Sequence, residues 1–409
     1  MKLAGQPMTT LTPESPPATL PGESRGNSGF VFIMLVAIGL RIILLGIGLV
    51  SLRAAPAGSV PQFNIDHPWM AWDAREYYQL AVHGYAPDRA GEPYRDWNTF
   101  DLIAYFPMVP LVGRALSLFM PLDLGLVLFS NTCSIIAFGV LWKWAHSISD
   151  SRIASICVLL AATFPGAISF SAGMTEGPFF LLVAITLLLL QRERFWWSAI
   201  VAGIATATRP TGVALAVVVP FYAWMRLSLM PAPQRLATFF ALGAISVTGI
   251  ACYEAFLWGR YHSPTVYFAA EQSWERRNTQ RLERDARSGV ERYSWEFFLD
   301  RLKRPQAWNR VLALGVLAII AMGVYQPRQV PRVLFLFPLI IFLMTALPNQ
   351  GLRVSSIPRY ESAAAPLFLI SAIWLHTRQR RLLLAVVLGT QLIIQAYYAV
   401  LFPRGIWIG

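Results

Sequence analysis

The residues able to do chemistry stand at the polar junctions of a very apolar chain. Asp73 lies in Trp72-Asp73-Ala74-Arg75-Glu76-Tyr77-Tyr78-Gln79-Leu80-Ala81-Val82-His83-Gly84-Tyr85, just beyond the first long apolar run, Phe30 to Leu52. That run holds about 23 residues, enough to cross a hydrocarbon core of roughly 30 Å. Asp73 is therefore expected in the first loop after a membrane crossing, near the bilayer surface. Glu176 opens a later apolar segment, while Arg209 and Arg359 stand in turns. A carboxylate can take the proton of a hydroxyl group. Arginine keeps its charge and grips phosphate oxygens in pairs, which suits a phosphate whose charge grows as a bond breaks. Arg209, in a tight turn between short helices, leads Arg359 for that task.

The elements that must position these groups follow from composition. With 56% apolar residues, 13% aromatics and 14% charged residues, the chain has too little polar surface for a soluble globule, so it reads as a polytopic membrane protein. The formal charge of +12 is almost wholly arginine, since Lys2, Lys143 and Lys303 are the only lysines. These arginines are scattered through short loops and form no single stripe. That argues against nucleic acid as a partner and for membrane lipids or a phosphate-bearing lipid. Cys133, Cys157 and Cys252 fall inside apolar runs and read as small hydrophobes. Residues 1–29 are rich in Pro, Ser, Thr and Gly and read as a disordered tail ahead of one transmembrane domain, 30–409. They do not read as a signal peptide, because the apolar run comes late and is long enough to span.

Further spans read as Leu122 to Ala145, Arg152 to Ser171, Pro178 to Leu190, Trp196 to Ala207, Thr211 to Trp224, Leu236 to Trp258, Trp308 to Tyr325, Val333 to Leu347, Ala363 to Leu375 and Leu382 to Phe402. The expectation is an all-α bundle of about 11 transmembrane helices. The run Ala104 to Phe119 is short, carries Pro107, Pro110 and Arg114, and reads as an interfacial helix within a helical first outer loop, 53–121. Lys143, Arg152, Arg192, Arg194, Arg226, Arg235, Arg328, Arg332, Arg378, Arg380 and Arg381 then share one side, the cytoplasm by the positive-inside rule. Asp73, Glu176, Arg209, Arg359 and a long loop, 259–306, fall on the other. That long loop carries ten basic and seven acidic residues, but long loops obey the rule poorly.

These residues resemble the PIG-V-like mannosyltransferases, of the GT-C class of membrane glycosyltransferases that use lipid-phosphate sugars. The resemblance runs through most of the chain. Trp72-Asp73 ending in Gly84-Tyr85 is similar to that family's first-loop motif, and Tyr105-Phe106-Pro107 with Pro110 to its aromatic-Phe-Pro signature. Met174-Thr175-Glu176 resembles a Tyr-Ser-Glu turn, Arg209-Pro210-Thr211-Gly212 an Arg-Pro-Asn-Gly turn, and Gln272 with Trp274 to Arg276 a Gln-Trp-Arg element. Arg359-Tyr360 followed by Pro366 resembles the late Arg-Tyr and Pro pair. Ala74, Met174 and Thr211 depart from the usual Gly, Tyr and Asn, which bears on the acceptor more than on the reaction class.

The resemblance implies a GT-C-like bundle and transfer of a hexose, with mannose the first expectation, from a polyprenyl-phosphate sugar to a lipid-linked or glycolipid acceptor. The site would face outside the cytoplasm, with a bacterial inner membrane as the expected location. Asp73 would be the catalytic base, Arg209 and Arg359 would hold the donor phosphate, and Glu176 would position a sugar hydroxyl. Trp72, Tyr77, Tyr105 and Tyr360 complete the expected binding set. No cofactor or obligatory metal is implied. A transporter or flippase of lipid-linked saccharides, which would show paired halves with matching broken helices, and a non-catalytic scaffold are the competing classes.

Each residue also has a plainer role. A lone loop aspartate more often caps a helix, and only the surrounding motif reverses that weighting for Asp73. Glu176 at a helix start suits the helix dipole, so it reads equally as a structural group or as one that binds acceptor or orients Arg209. Arg41, within the first span, reads as a snorkelling or helix-pairing charge, and His67 and His83 as interfacial or hydrogen-bonded histidines. The stretch Trp274 to Arg292 reads as a solvated helix face with internal pairs of roughly 0.2 to 0.5 kcal/mol each, or as a lid.

Overall fold

The computed structural model describes residues 23–55, 67–85, 101–272, 305–325, 330–346 and 356–406. Every regular element among them is helical. Helix α1 (Glu23–Arg53) is followed by α2 (Asp73–His83), a 3-10 turn (Asp101–Ala104), α3 (Met108–Leu116) and α4 (Leu122–Ile148). Then come α5 (Ser151–Thr163), a 3-10 segment (Pro165–Ser171), α6 (Glu176–Gln191), α7 (Phe195–Thr206) and α8 (Val213–Arg226). The remainder is α9 (Ala232–Ser246), α10 (Thr248–Tyr261), α11 (Pro305–Tyr325), α12 (Leu336–Ala346), α13 (Ile357–Glu361), α14 (Ala365–Leu375) and α15 (Arg381–Leu401).

The chain is an integral membrane protein, and its packing shows why. The outward faces are apolar: Phe32 on α1, Phe240 on α9, Leu314 on α11 and Leu382 and Ile393 on α15 are exposed. A surface of that kind suits lipid rather than water. Inside, α4 lies along α6, and the approach is so close that a methyl group on Gly177 would stand 2.3 Å from the carbonyl of Ser130. Small residues at such crossings replace the hydrophobic drive that lipid abolishes. Phe138, Phe170 and Phe180 fill the layer beneath, with Phe170 and Phe180 stacked at 5.2 Å.

Within the described residues each predicted span coincides with helix, with three corrections. Among the described residues three helical stretches, Ser28–Arg53, Leu122–Ile148 and Arg378–Arg404, are long and apolar enough to cross a membrane. The expected spans Arg152 to Ser171 and Leu236 to Trp258 are instead bent pairs, by 73° after Thr163 and by 53° at Val247. Pro165 lacks the N–H that a continuous helix needs, so the first break has a covalent cause. Of the segment 1–29 expected as a tail, residues 23–29 are instead helical, because α1 begins at Glu23. A helix already nucleated by an apolar span extends at little cost. Residues 1–22 lie outside the described residues, as does the predicted stretch Trp274 to Arg292.

The described parts of the expected first outer loop, 53–121, carry α2, a 3-10 turn and α3. At nine residues α3 is too short to cross the bilayer, and its Arg114 donates to the carbonyls of Ala81 and Val82, closing the end of α2. The 266–272 stretch is helical too, and Tyr267 packs its ring edge-on against Phe106 at 5.7 Å.

Candidate active site

Four segments far apart in the chain meet at one end of the bundle. Asp73 is the first residue of α2, and the preceding Trp72 turns the chain with φ 58°. A bulky aromatic rarely adopts that left-handed backbone, and such strain collects at sites that need a side chain aimed. Glu176 is the first residue of α6. Arg209 is extended, as a residue before proline tends to be, and the turn after it closes through Gly212 N–H to the Arg209 carbonyl at 3.0 Å. Gly212 has no substitute there, since a methyl group would lie 2.7 Å from the Ala205 carbonyl. Arg359 sits on α13, the short helix just before α14.

Their side chains form one chain of ion pairs. Arg359 Nη2 bonds Asp73 Oδ2, and Arg359 Nε bonds Glu176 Oε1. Arg209 Nη1 approaches the same Glu176 oxygen at 2.9 Å. The guanidinium of Arg209 also lies over the ring of Tyr360 at 4.6 Å and near that of Phe179 at 5.8 Å. Tyr105 donates its hydroxyl to Asp73 Oδ1 at 3.2 Å. Tyr77 donates to Thr175 Oγ1 at 3.4 Å and meets the Tyr105 ring edge-on at 5.3 Å.

Burial grades this network. Side-chain exposure is 1% for Glu176, 5% for Arg209, 9% for Arg359 and 20% for Asp73, so the carboxylate of Asp73 is the most exposed end of the network. Burial works against the charge of Arg359, but Asp73 and Glu176 outweigh it and hold its pKa well above the usual arginine value. Burial and the nearby Asp73 charge push the phenols of Tyr77 and Tyr105 well up, so both are neutral donors. Two open capacities are decisive: Arg209 Nε and Nη2 donate to no described residue, and Glu176 Oε2 accepts from none. Two carboxylates and two guanidiniums cancel in formal charge, yet the open nitrogens sit on Arg209. An anion can bind there without first breaking an ion pair.

Asp73, Trp72, Tyr77, Tyr105, Glu176, Arg209, Arg359 and Tyr360 are thus gathered at one end. Two participants, and one neighbour of the network, escaped sequence reasoning. Phe179 faces the Arg209 guanidinium, and one turn after the Glu176 start it looked like an ordinary span residue. Thr175, noted only as part of a turn, receives the Tyr77 hydroxyl. Glu361 is completely buried with neither carboxylate oxygen bonded to a described residue. Among the described residues no group of three or more His, Cys, Asp or Glu is placed to hold a metal ion. His67 serves its own turn, its Nδ1 accepting from Trp69 N–H at 3.3 Å.

Comparison with solved structures gives the architecture a class. ArnT from Cupriavidus metallidurans, solved bound to undecaprenyl phosphate, superposes with a TM-score of 0.51 at 14% identity, covering 92% of this chain and 76% of that one. The chain has the GT-C fold. The oligosaccharyltransferase of Archaeoglobus fulgidus in its apo form is similar at a TM-score of 0.47 and 15% identity, covering 93% of this chain, which spans about half (55%) of that protein's length. No family model matches the sequence, and no curated protein matches it either.

Proposed function

We propose that the protein is a membrane glycosyltransferase. It moves a hexose, mannose by the sequence resemblance, from a polyprenyl phosphate to a lipid-linked or glycolipid acceptor on the non-cytoplasmic face of a bacterial inner membrane. The observation that carries this reading is the union of Asp73, Arg359, Glu176 and Arg209 in one buried network whose exposed end is a carboxylate and whose open donors are on a guanidinium. ArnT of the same fold binds undecaprenyl phosphate, which supports a polyprenyl-phosphate donor here.

The step balances on these residues. Asp73 accepts the proton of the acceptor hydroxyl while that oxygen attacks the anomeric carbon. The bond from that carbon to the phosphate oxygen breaks on the opposite face, inverting the centre, and the phosphate leaves with the electron pair. Arg209 receives the growing charge through Nε and Nη2, with Arg359 adjacent. Glu176 holds both guanidiniums with one oxygen and offers the other to a sugar hydroxyl. Trp72, Tyr77, Tyr105 and Tyr360 wall the sugar, and the lipid tail enters sideways between helices. The reading assigns no role to a metal or cofactor.

The test is transfer of radiolabelled mannose from polyprenyl-phosphate mannose by the purified protein in membranes supplying lipid acceptors. A labelled lipid product supports the proposal. Movement of the donor across a vesicle membrane with no covalent product would instead make the protein a flippase.

A further inference from the structure

Arg41 is a cation in the middle of a membrane span, completely buried, with no carboxylate among the described residues bonded to it. Such a group is costly in the bilayer and needs a task. Its guanidinium donates from Nη1 to the Ala167 carbonyl at 2.7 Å and to Ser171 Oγ at 3.4 Å, and from Nη2 to the Ala162 carbonyl at 3.0 Å. Ala162 closes α5, whereas Ala167 and Ser171 lie in the 3-10 segment beyond the 73° bend. Arg41 therefore spans the break.

Other helices complete the hold. Gln395 of α15 donates to the carbonyls of Ala162 at 3.0 Å and Phe164 at 2.6 Å. Ser130 and Asn131 of α4 donate to those of Phe170 and Ser171. Unwound backbone at membrane depth persists only where its polar groups find partners inside the protein, and here side chains from α1, α4 and α15 supply them.

What the break supports is the site. A methyl group on Gly166 would stand 2.0 Å from the Pro358 carbonyl, so the segment lies directly against the helix that carries Arg359. Gly173 N–H donates to the Trp69 carbonyl at 3.1 Å, in the loop that leads to Asp73. Three residues later comes Glu176 itself. The segment thus touches the carriers of three of the four charged groups.

We infer that Arg41 is a positioning residue for the site, locking the broken helix so that Asp73, Glu176 and Arg359 meet in register. The inference rests on the transferase reading for its kinetic consequence but not for its structural one. A planar fork can bridge two carbonyls five residues apart, which a single ammonium does less well.

The test compares wild type, Arg41→Lys, Arg41→Met and Gln395→Met in the same lipid, with lipid-facing Ile393→Ala as control. Two readouts are taken on folded protein: amide hydrogen exchange over 164–176, and transfer kinetics with polyprenyl-phosphate mannose. The expected result is exchange faster by about tenfold or more in Arg41→Met, with kcat down about 10²-fold, as for a small misplacement of reacting groups, and donor KM within about threefold. Arg41→Lys restores part of both, Gln395→Met shows a weaker version, and Ile393→Ala neither. If Arg41→Met does not fold, Arg41→Lys and Gln395→Met carry the comparison. Unchanged exchange, or a lowered melting temperature with kcat of the folded fraction intact, overturns the inference. Faster exchange in a protein whose wild type transfers no sugar upholds the positioning role and removes the transferase reading instead.

Discussion

The two ends of α6, α8 and α14 carry the same kinds of charged side chain under opposite conditions. At their N-terminal ends stand Glu176, Arg209 and Arg359, at most 9% exposed and bonded to one another. At the far ends Arg226 pairs with Glu193 at 2.7 Å while 49% and 56% exposed. There Arg235 lies over Trp224 and Arg380 over Trp374, each at 4.0 Å, and each donates to the carbonyl of the tryptophan it covers. The 16 residues of α6 put these ends about 24 Å apart at 1.5 Å per residue. Arginine at the far end is solvated or laid on an aromatic ring, which suits an interfacial anchor. At the site end it is desolvated and answers to carboxylates. The difference shows that environment rather than residue type decides what an arginine can do.

Substitutions at the two ends should therefore differ widely. Arg359→Met leaves two carboxylates without their shared cation, and breaking a buried pair costs about 3–5 kcal/mol. Loss of both the melting transition's height and all transfer is expected, measured by thermal unfolding in detergent and by product formation. Arg209→Gln leaves Glu176 paired with Arg359, so stability should fall less. Transfer should drop by about 10²–10³, the usual cost of removing one group that stabilises developing charge. Arg226→Gln at the far end should change stability by less than about 1 kcal/mol and leave kcat unchanged. A kcat loss there like that of Arg209→Gln would erase the distinction between the two ends.

The smallest effect is expected at Glu361, which is at the site end but outside the network. Burial holds its pKa well above the ordinary carboxyl value. A group whose pKa is raised on folding stabilises the fold fully below the unfolded value, and that contribution is lost as pH rises from there through the raised folded value. Glu361→Gln should remove that dependence. As pH rises above the ordinary glutamate range the wild type should lose stability relative to the variant, with transfer intact in both. A parallel pair of stability curves would contradict a neutral Glu361.

The comparison also explains what could be read from sequence. Asp73, Glu176, Arg209 and Arg359 each announce themselves locally, as polar groups at the edges of apolar runs or beside proline, so their membership was legible. Their pairing was not: Asp73 and Arg359 are 286 positions apart, and nothing local says that Arg359 rather than Arg209 takes Asp73. The broken helix left a sign in Pro165-Gly166, but the apolar run continues through it and the period gave no stop. The bend at Val247 has no proline within the turn and is fixed by packing, where Ile250 N–H donates to Thr206 Oγ1 at 3.2 Å. Arg41 stood out as a charge within a span, whereas Asn131 and Gln395 were not singled out. Their common target, a set of main-chain carbonyls, exists only once the helix is broken.

The most direct measurement is the rate of mannose transfer from polyprenyl-phosphate mannose by Asp73→Asn beside wild type, at equal folded concentration. Asparagine keeps the size of the side chain and can still accept from Tyr105, but it cannot take a proton at neutral pH. The account predicts a fall of about 10²–10⁴ with donor binding retained. Full activity in the asparagine protein would contradict it.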